Sequence, residues 1–144
     1  MRGGWRTICA TALLWGATGA KDVYGQELFL AHGIGVPGVV EIGRPESTVN
    51  KAKLGELQRR FNLTVRSDRE RIIILVVCST GGCVTERNAA VGMTEEALVR
   101  RYGKPVQEQS LKDGKLLRYD GVGFKIVEDA VRAIYIVPRF RALK

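Results

Sequence analysis

Two of the three cysteines, one histidine and several carboxylates are the residues of this chain whose chemistry could matter; the third, Cys9, falls in the leader-like segment at the start of the chain. Cys78 and Cys83 flank Ser79-Thr80-Gly81-Gly82. That spacing is not the Cys-x-x-Cys of a thioredoxin-like redox site, and in an oxidising compartment it predicts a structural disulfide, Cys78–Cys83, closing a short loop. His32 is the single histidine in 144 residues. One imidazole and two oxidised cysteines cannot assemble a zinc-type cluster, so no metal and no cofactor is expected. The serines lie in helix-start, turn or loop contexts without a nucleophile-elbow sequence, which argues against a Ser-His-Asp device. Glu95-Glu96 and Glu128-Asp129 are carboxylate pairs, and acid-base chemistry would need such groups. They read more simply as helix-start charges and turn residues. No catalytic residue is assigned, and the chain is expected not to be an enzyme.

Gly33-Ile34-Gly35-Val36-Pro37-Gly38 satisfies Gly-x-Gly-x-x-Gly, but a dinucleotide site would need its third glycine to open a helix. Val39-Val40-Glu41-Ile42 reads instead as another strand, so the glycines are expected to serve a turn. Arg59-Arg60, Arg66, Arg69, Arg71, Arg100-Arg101 and Lys104 offer basic surface. Arg100, Arg101 and Lys104 are the candidate contact, because a helix carrying Leu98 and Tyr102 inward turns them away from the core. An anionic lipid or envelope surface, or a protein, is the expected partner, and nucleic acid is not.

The compartment follows from the first residues. Arg2 and Arg6 precede the uncharged run Thr7–Trp15, and Gly-Ala-Thr-Gly-Ala closes it. That order predicts a secretory signal peptide over residues 1–20, cut after Ala20, because the run is far shorter than the ~20 residues that span a bilayer. Residues 21–144 then form one domain, periplasmic or secreted. Losing Arg2 and Arg6 lowers the formal charge from +8 to +6. A chain that is 45% hydrophobic and 26% charged suits one globular core and excludes a long disordered protein.

Those residues need elements to hold them. Asn62–Val77 overlays Gly123–Pro138 at a shift of 61, pairing Asp68 with Asp129 and Ile73 with Ile134. Upstream, Ile42-Gly43-Arg44-Pro45-Glu46 parallels Val91-Gly92-Met93-Thr94-Glu95 at a shift of 49. A fixed order of matched pieces is the mark of an internal repeat. The expected architecture is α+β: two tandem units of a short helix and an antiparallel hairpin, about 39–78 and 88–138, in one two-layer domain. Thr94 caps the second helix, Glu95 and Glu96 suit its positive end, and Gly103 with Pro105 stops it. Pro45 should open the first helix and Gly55 close it. Glu27–Ala31 and Val39–Ile42 should be edge strands, Leu116–Tyr119 a further strand after the Asp113-Gly114 turn, and Arg139–Lys144 a frayed basic tail. The strand Ile72–Val77 is apolar on both faces. If both helices cover one face, the other must meet a second sheet, the segment 27–42 or a partner.

The run Gly92-Met93-Thr94-Glu95-Glu96-Ala97-Leu98-Val99-Arg100-Arg101-Tyr102-Gly103-Lys104-Pro105, followed by Leu117-Arg118-Tyr119 and the hairpin Phe124–Val137, resembles the SmpA/OmlA (BamE-like) family. That resemblance covers about fifty residues of the second half. It implies a two-layer α/β unit of the Gram-negative envelope, acting in outer-membrane protein assembly and contacting anionic lipid. Members of that family are anchored through a Cys that has no counterpart here, and they carry one unit rather than two. The tandem arrangement also resembles the secreted β-lactamase inhibitor protein family, whose sheet presents a concave face to an enzyme.

Overall fold

The computed structural model describes residues 27–140. The signal segment 1–20, its cleavage point and the last four residues of the tail lie outside that range. Within it the chain is mixed α+β. Its elements are β1 (Leu28–Leu30), β2 (Gly35–Val36), β3 (Val40–Glu41), α1 (Lys51–Phe61), β4 (Leu63–Ser67), β5 (Ile73–Cys78), β6 (Cys83–Thr85), α2 (Glu95–Tyr102), β7 (Gln107–Leu111), β8 (Gly114–Tyr119), β9 (Val122–Val127) and β10 (Ala130–Ile136).

Six strands form one antiparallel sheet in the order β4-β5-β10-β9-β8-β7. The first half of the chain contributes β4 and β5, the second half the other four. They join where β10 lies against β5, with Ile134 opposite Cys78, Tyr135 opposite Val77 and Ile136 opposite Val76. Side chains alternate across a strand, so Leu63, Val65, Val76, Cys78, Ile134, Ile136, Phe124, Val122, Leu117 and Tyr119 share one face through the cross-strand register. All of these except the half-buried Val65 are nearly inaccessible. Leu57 and Phe61 of α1 and Leu98 of α2 complete the same core.

The segment before α1 is not an edge of this sheet. β1 pairs in parallel with β6, and β2 forms its own short hairpin with β3. Leu30, Val36 and Val40 are buried in the core, and a Cβ at Gly35 would lie 3.3 Å from the Val76 side chain. Residues 27–42 therefore lie on the helical side of the sheet and cannot cover its other face. The glycine-rich stretch is a set of turns, with Gly33, Gly35 and Gly38 all at positive φ.

Helix α2 follows its sequence signals. The Thr94 side chain accepts from the Ala97 N–H at 3.1 Å and Gly103 ends the helix. Helix α1 does not begin at Pro45 or end at Gly55. Residues Glu46–Thr48 make one 3-10 turn, the chain becomes extended at Val49, and Asn50 then caps the helix by accepting from the Lys53 N–H at 3.1 Å. It runs through Gly55 because Leu54, Leu57 and Phe61 recur at helical spacing on the core side, a burial that outweighs the roughly 1 kcal/mol helix penalty of one glycine.

The two halves share a hydrogen-bond pattern. Gly43 N–H donates to the Ile73 carbonyl at 2.8 Å and Ile73 N–H to that of Arg44 at 2.9 Å, while Gly92 N–H donates to Val131 and Val131 N–H to Met93, both at 2.8 Å. Glu46 N–H reaches the Arg71 carbonyl at 2.8 Å as Glu95 N–H reaches that of Asp129 at 3.0 Å. Each hairpin also carries a register shift on its returning strand, between Ile73 and Leu75 and between Val131 and Ala133. The upstream shift of 49 matches these bonds. The hairpin shift of 61 does not, since Ile73 corresponds to Val131 rather than to Ile134.

The Cys78–Cys83 disulfide is formed and both residues are fully buried. It ties the end of β5 to β6, and a loop this short accounts for about 2 kcal/mol.

The β9–β10 hairpin turns on Glu128 and Asp129 at φ 53° and 71°. Two consecutive positive φ values are the signature of a turn that Asn-Gly fills with least strain. Replacing Glu128-Asp129 by Asn-Gly should raise stability by about 0.5–1 kcal/mol, read as the shift in the urea midpoint at unchanged slope.

Candidate functional site

One end of the sheet gathers residues that are far apart in the chain. The β8–β9 turn at Asp120-Gly121, the Gly33 turn after β1, the residues following β6, the end of α2 and the segment after β10 meet there. The Gly33 N–H donates to the Gly121 carbonyl at 3.0 Å and the Val137 N–H to the same carbonyl at 3.2 Å. Gly121 has φ 82°, and a Cβ at that position would come within 2.8 Å of the Gly33 nitrogen. The absent side chain is what lets the β1 turn close onto the hairpin.

This closure places His32 against Tyr102. The His32 Nε2 lies 2.6 Å from the Tyr102 hydroxyl, which is also 2.7 Å from Thr85 Oγ1. Thr85 Oγ1 accepts from the Ala89 N–H at 3.1 Å. On the other side, His32 Nδ1 is 3.5 Å from Glu86 Oε1, and the His32 backbone N–H donates to Glu86 Oε2 at 2.8 Å. In the tautomer whose Nδ1–H faces the Glu86 carboxylate, Nε2 accepts from the Tyr102 hydroxyl and Tyr102 accepts from Thr85. Tyr102 also packs against the rings of Tyr119 and Phe124, with centroids 5.0 and 5.1 Å away. Tyr119 donates from its hydroxyl to the Gly103 carbonyl at 2.8 Å, holding the end of α2 over the sheet.

Burial sets the electrostatics. It holds the His32 imidazole below its ordinary value; Glu86 opposes this, and Arg139 and Arg87 add to it. Burial likewise raises Tyr102 and Tyr119 above the usual phenol value. His32 is therefore neutral near pH 7, and neither phenol is poised as a base. The donor chain is closed at both ends, by the Ala89 amide and the Glu86 carboxylate. It positions side chains, and a proton could enter it only by breaking an internal bond.

Beside this network lies a cleft of about 310 Å³ lined by His32, Arg87, Tyr102, Lys104, Val106, Tyr119, Asp120 and Arg139. Arg87 sits 5.4 Å from the Tyr102 ring centroid, and Arg139 is 3.2 Å from Asp120. Asp120 also accepts from the Phe140 N–H at 2.7 Å. Arg139 and Phe140 are thus tied to the hairpin, which corrects the expectation of a tail frayed from Arg139 onward.

The three basic residues read from the sequence do not act as one cluster. Arg100 is exposed and paired with Glu96 at 2.9 Å. Arg101, also exposed, donates to the Asn88 carbonyl at 2.6 Å, and Lys104 faces the cleft. The carboxylate pairs are dispersed as well. Glu95 binds Lys115 at 2.8 Å and Glu128 lies 3.5 Å from Arg132. Among the described residues no three His, Cys, Asp or Glu side chains are grouped to hold a metal ion, and no helix is long and apolar enough to cross a membrane.

Arg87 and Asp120 carry no local motif, and sequence reading passed over them. Tyr102 reads only as a core position, and Arg139 only as tail charge. The one available hint was the lone histidine at the end of a strand.

Tyr102→Phe should cost about 1–3 kcal/mol, because it leaves His32 Nε2 and Thr85 Oγ1 without their shared partner; chemical denaturation measures it. Since the folded imidazole titrates below its unfolded value of 6.5, the unfolded chain binds more protons in that range. The stabilisation is complete above about pH 6.5 and is lost as pH falls through the folded value. Melting temperatures between pH 7.5 and 5 should fall more steeply for the parent chain than for His32→Gln, and equal slopes would remove His32 as the source.

No family model, curated protein or solved structure matches this chain.

Proposed function

We propose that the chain is an exported, non-enzymatic binding or envelope-assembly module that docks a protein partner on the open face of its sheet. The observation that carries this reading is the sheet itself, because its two helices and residues 27–42 all lie on one side. On the opposite face the register aligns Thr64, Val77, Tyr135, Gly123, Arg118 and Gln107, and beside them Ala133, Lys125 and Leu116. Leu75, Val77, Tyr135 and Leu116 are only partly covered and stand outside the buried core cluster. A broad, semi-apolar strand surface of this kind suits a protein.

The face is also basic. Arg66, Arg118 and Lys125 project from it; Lys125 has Asp113 at 3.5 Å, while Arg118 is held by Gln107 at 3.4 Å and by the Phe140 ring. The matching partner is a protein with an acidic rim around an apolar centre. The disulfide fits an oxidising compartment, in line with a periplasmic or secreted location. Arg100, Arg101 and Lys104 lie outside this face; Arg100 and Arg101 already engage Glu96 and the Asn88 carbonyl, and a contact of all three with anionic lipid or the envelope surface is supported by their exposure alone.

The shared hydrogen-bond pattern of the two halves supports the alternative, a secreted protein inhibitor of the β-lactamase inhibitor type built from two tandem units. Both readings use the same face.

Fractionation separates them. Co-purification with barrel-assembly components, lost in Arg66→Glu/Arg118→Glu, is the expected result; release into the medium with inhibition of a purified serine β-lactamase would favour the alternative. Reversing Arg100, Arg101 and Lys104 to Glu should weaken binding to anionic vesicles, with added salt acting in the same direction. Retained binding at low ionic strength would leave those three as solubilising charge.

A further inference from the structure

We propose that the cleft between the end of α2 and the β8–β9 turn is a binding site for a phosphate monoester carried on a small apolar body. It is separate from the open sheet face and does not rest on that reading.

Three cations from three distant parts of the chain converge there: Arg87 after β6, Lys104 after α2 and Arg139 after β10. Among the described residues Arg87 and Lys104 have no carboxylate within 4.0 Å, in contrast to Arg100 with Glu96 or Arg71 with Glu46. Only Asp120 offsets them within the lining, and it is engaged by Arg139 and by the Phe140 N–H. Glu86, outside the lining, accepts from the His32 backbone N–H and faces the neutral imidazole, so its formal charge lowers the net surplus around the cleft to one. Converging like charges repel and raise the local potential, and a bound anion relieves both.

The charge and the walls define the ligand class. Two guanidinium groups and an ammonium converge from three directions, which gives donors for the three terminal oxygens of a phosphate monoester, one more than a carboxylate presents. Guanidinium forks suit phosphate oxygens, and Lys104 adds a mobile point charge. Arg87 is pre-positioned by its stacking on Tyr102 and by its contact with the Arg101 carbonyl at 3.5 Å. Val106, which is 66% exposed, and the half-buried Tyr102 give the cleft an apolar contact beside the cations. A bare inorganic ion would leave that contact unused.

The test is calorimetric titration of the disulfide-bonded protein with phenyl phosphate, benzoate and vesicles containing phosphatidic acid, at pH 7.5 and low salt. Arg87 and Lys104 are exposed and can be changed without disturbing the core. Expected is one-to-one binding of phenyl phosphate, with benzoate at least about tenfold weaker. Arg87→Gln and Lys104→Gln should each weaken it about fivefold or more, with Arg100→Gln within about twofold of the parent. Binding of the vesicles alone, with the same dependence on Arg87 and Lys104, would support the phosphate site and assign its source to lipid. Equal affinity for benzoate, binding unchanged in Arg87→Gln and Lys104→Gln, or no response to either phosphate probe would overturn the proposal. The sheet-face variant Arg66→Glu/Arg118→Glu should leave phosphate binding intact, so failure of one site is distinguishable from failure of the other.

Discussion

The pairing of Val76–Cys78 with Ile134–Ile136 is the constraint on which the molecule rests. The first half lacks the sheet to bury its helix alone. The first half brings two strands, and a two-stranded ribbon is marginal in water. Joined at this seam, the strands put Cys78, Val76, Ile134 and Ile136 into one interior with Leu57, Phe61 and Leu98. The disulfide reinforces the seam from outside the sheet, because Cys78 is both a seam residue and the anchor of β6. Through β6 the constraint reaches β1, His32 and hence the cleft.

Much of this was legible where local chemistry decides the outcome. Thr94 and Gly103 bound α2 as their capping tendencies require, and the Asp113-Gly114 turn does introduce β8. The start of α1 was misread because Pro45 is an ordinary helix opener, yet the bonds Glu46–Arg71 and Ile73–Arg44 hold that segment against β5 and delay the helix until Asn50. Strand β7 escaped notice since Gln107-Glu108-Gln109-Ser110 has no apolar alternation; it is a strand because β8 offers it a partner. The tandem units were drawn from the few identities at a shift of 61, whereas the hydrogen bonds align Ile73 with Val131.

Of the cleft, only Lys104 and the lone His32 stand out in the sequence, for a topological reason. Its lining runs from His32 to Arg139, and no window of sequence contains more than a few of its members. They meet because Gly33 and Gly121 let two turns touch. The other charged residues that did stand out, Arg100 and Arg101, do so because they are adjacent in the chain, and the structure spends them on Glu96 and the Asn88 carbonyl. Proximity in sequence marked a helix end, while the convergence of Arg87, Lys104 and Arg139 is visible only in the fold.

The outer margins of the six-stranded sheet carry a consequence of their own. β7 ends the sheet on one side with four polar residues, and β4 ends it on the other with exposed Thr64 and Arg66. A second chain adding itself as a seventh strand would have to strip water from Glu108 on one flank or from a guanidinium on the other. The lateral growth that leads to fibrils is disfavoured there, and contacts with other macromolecules are steered toward the broad surface instead.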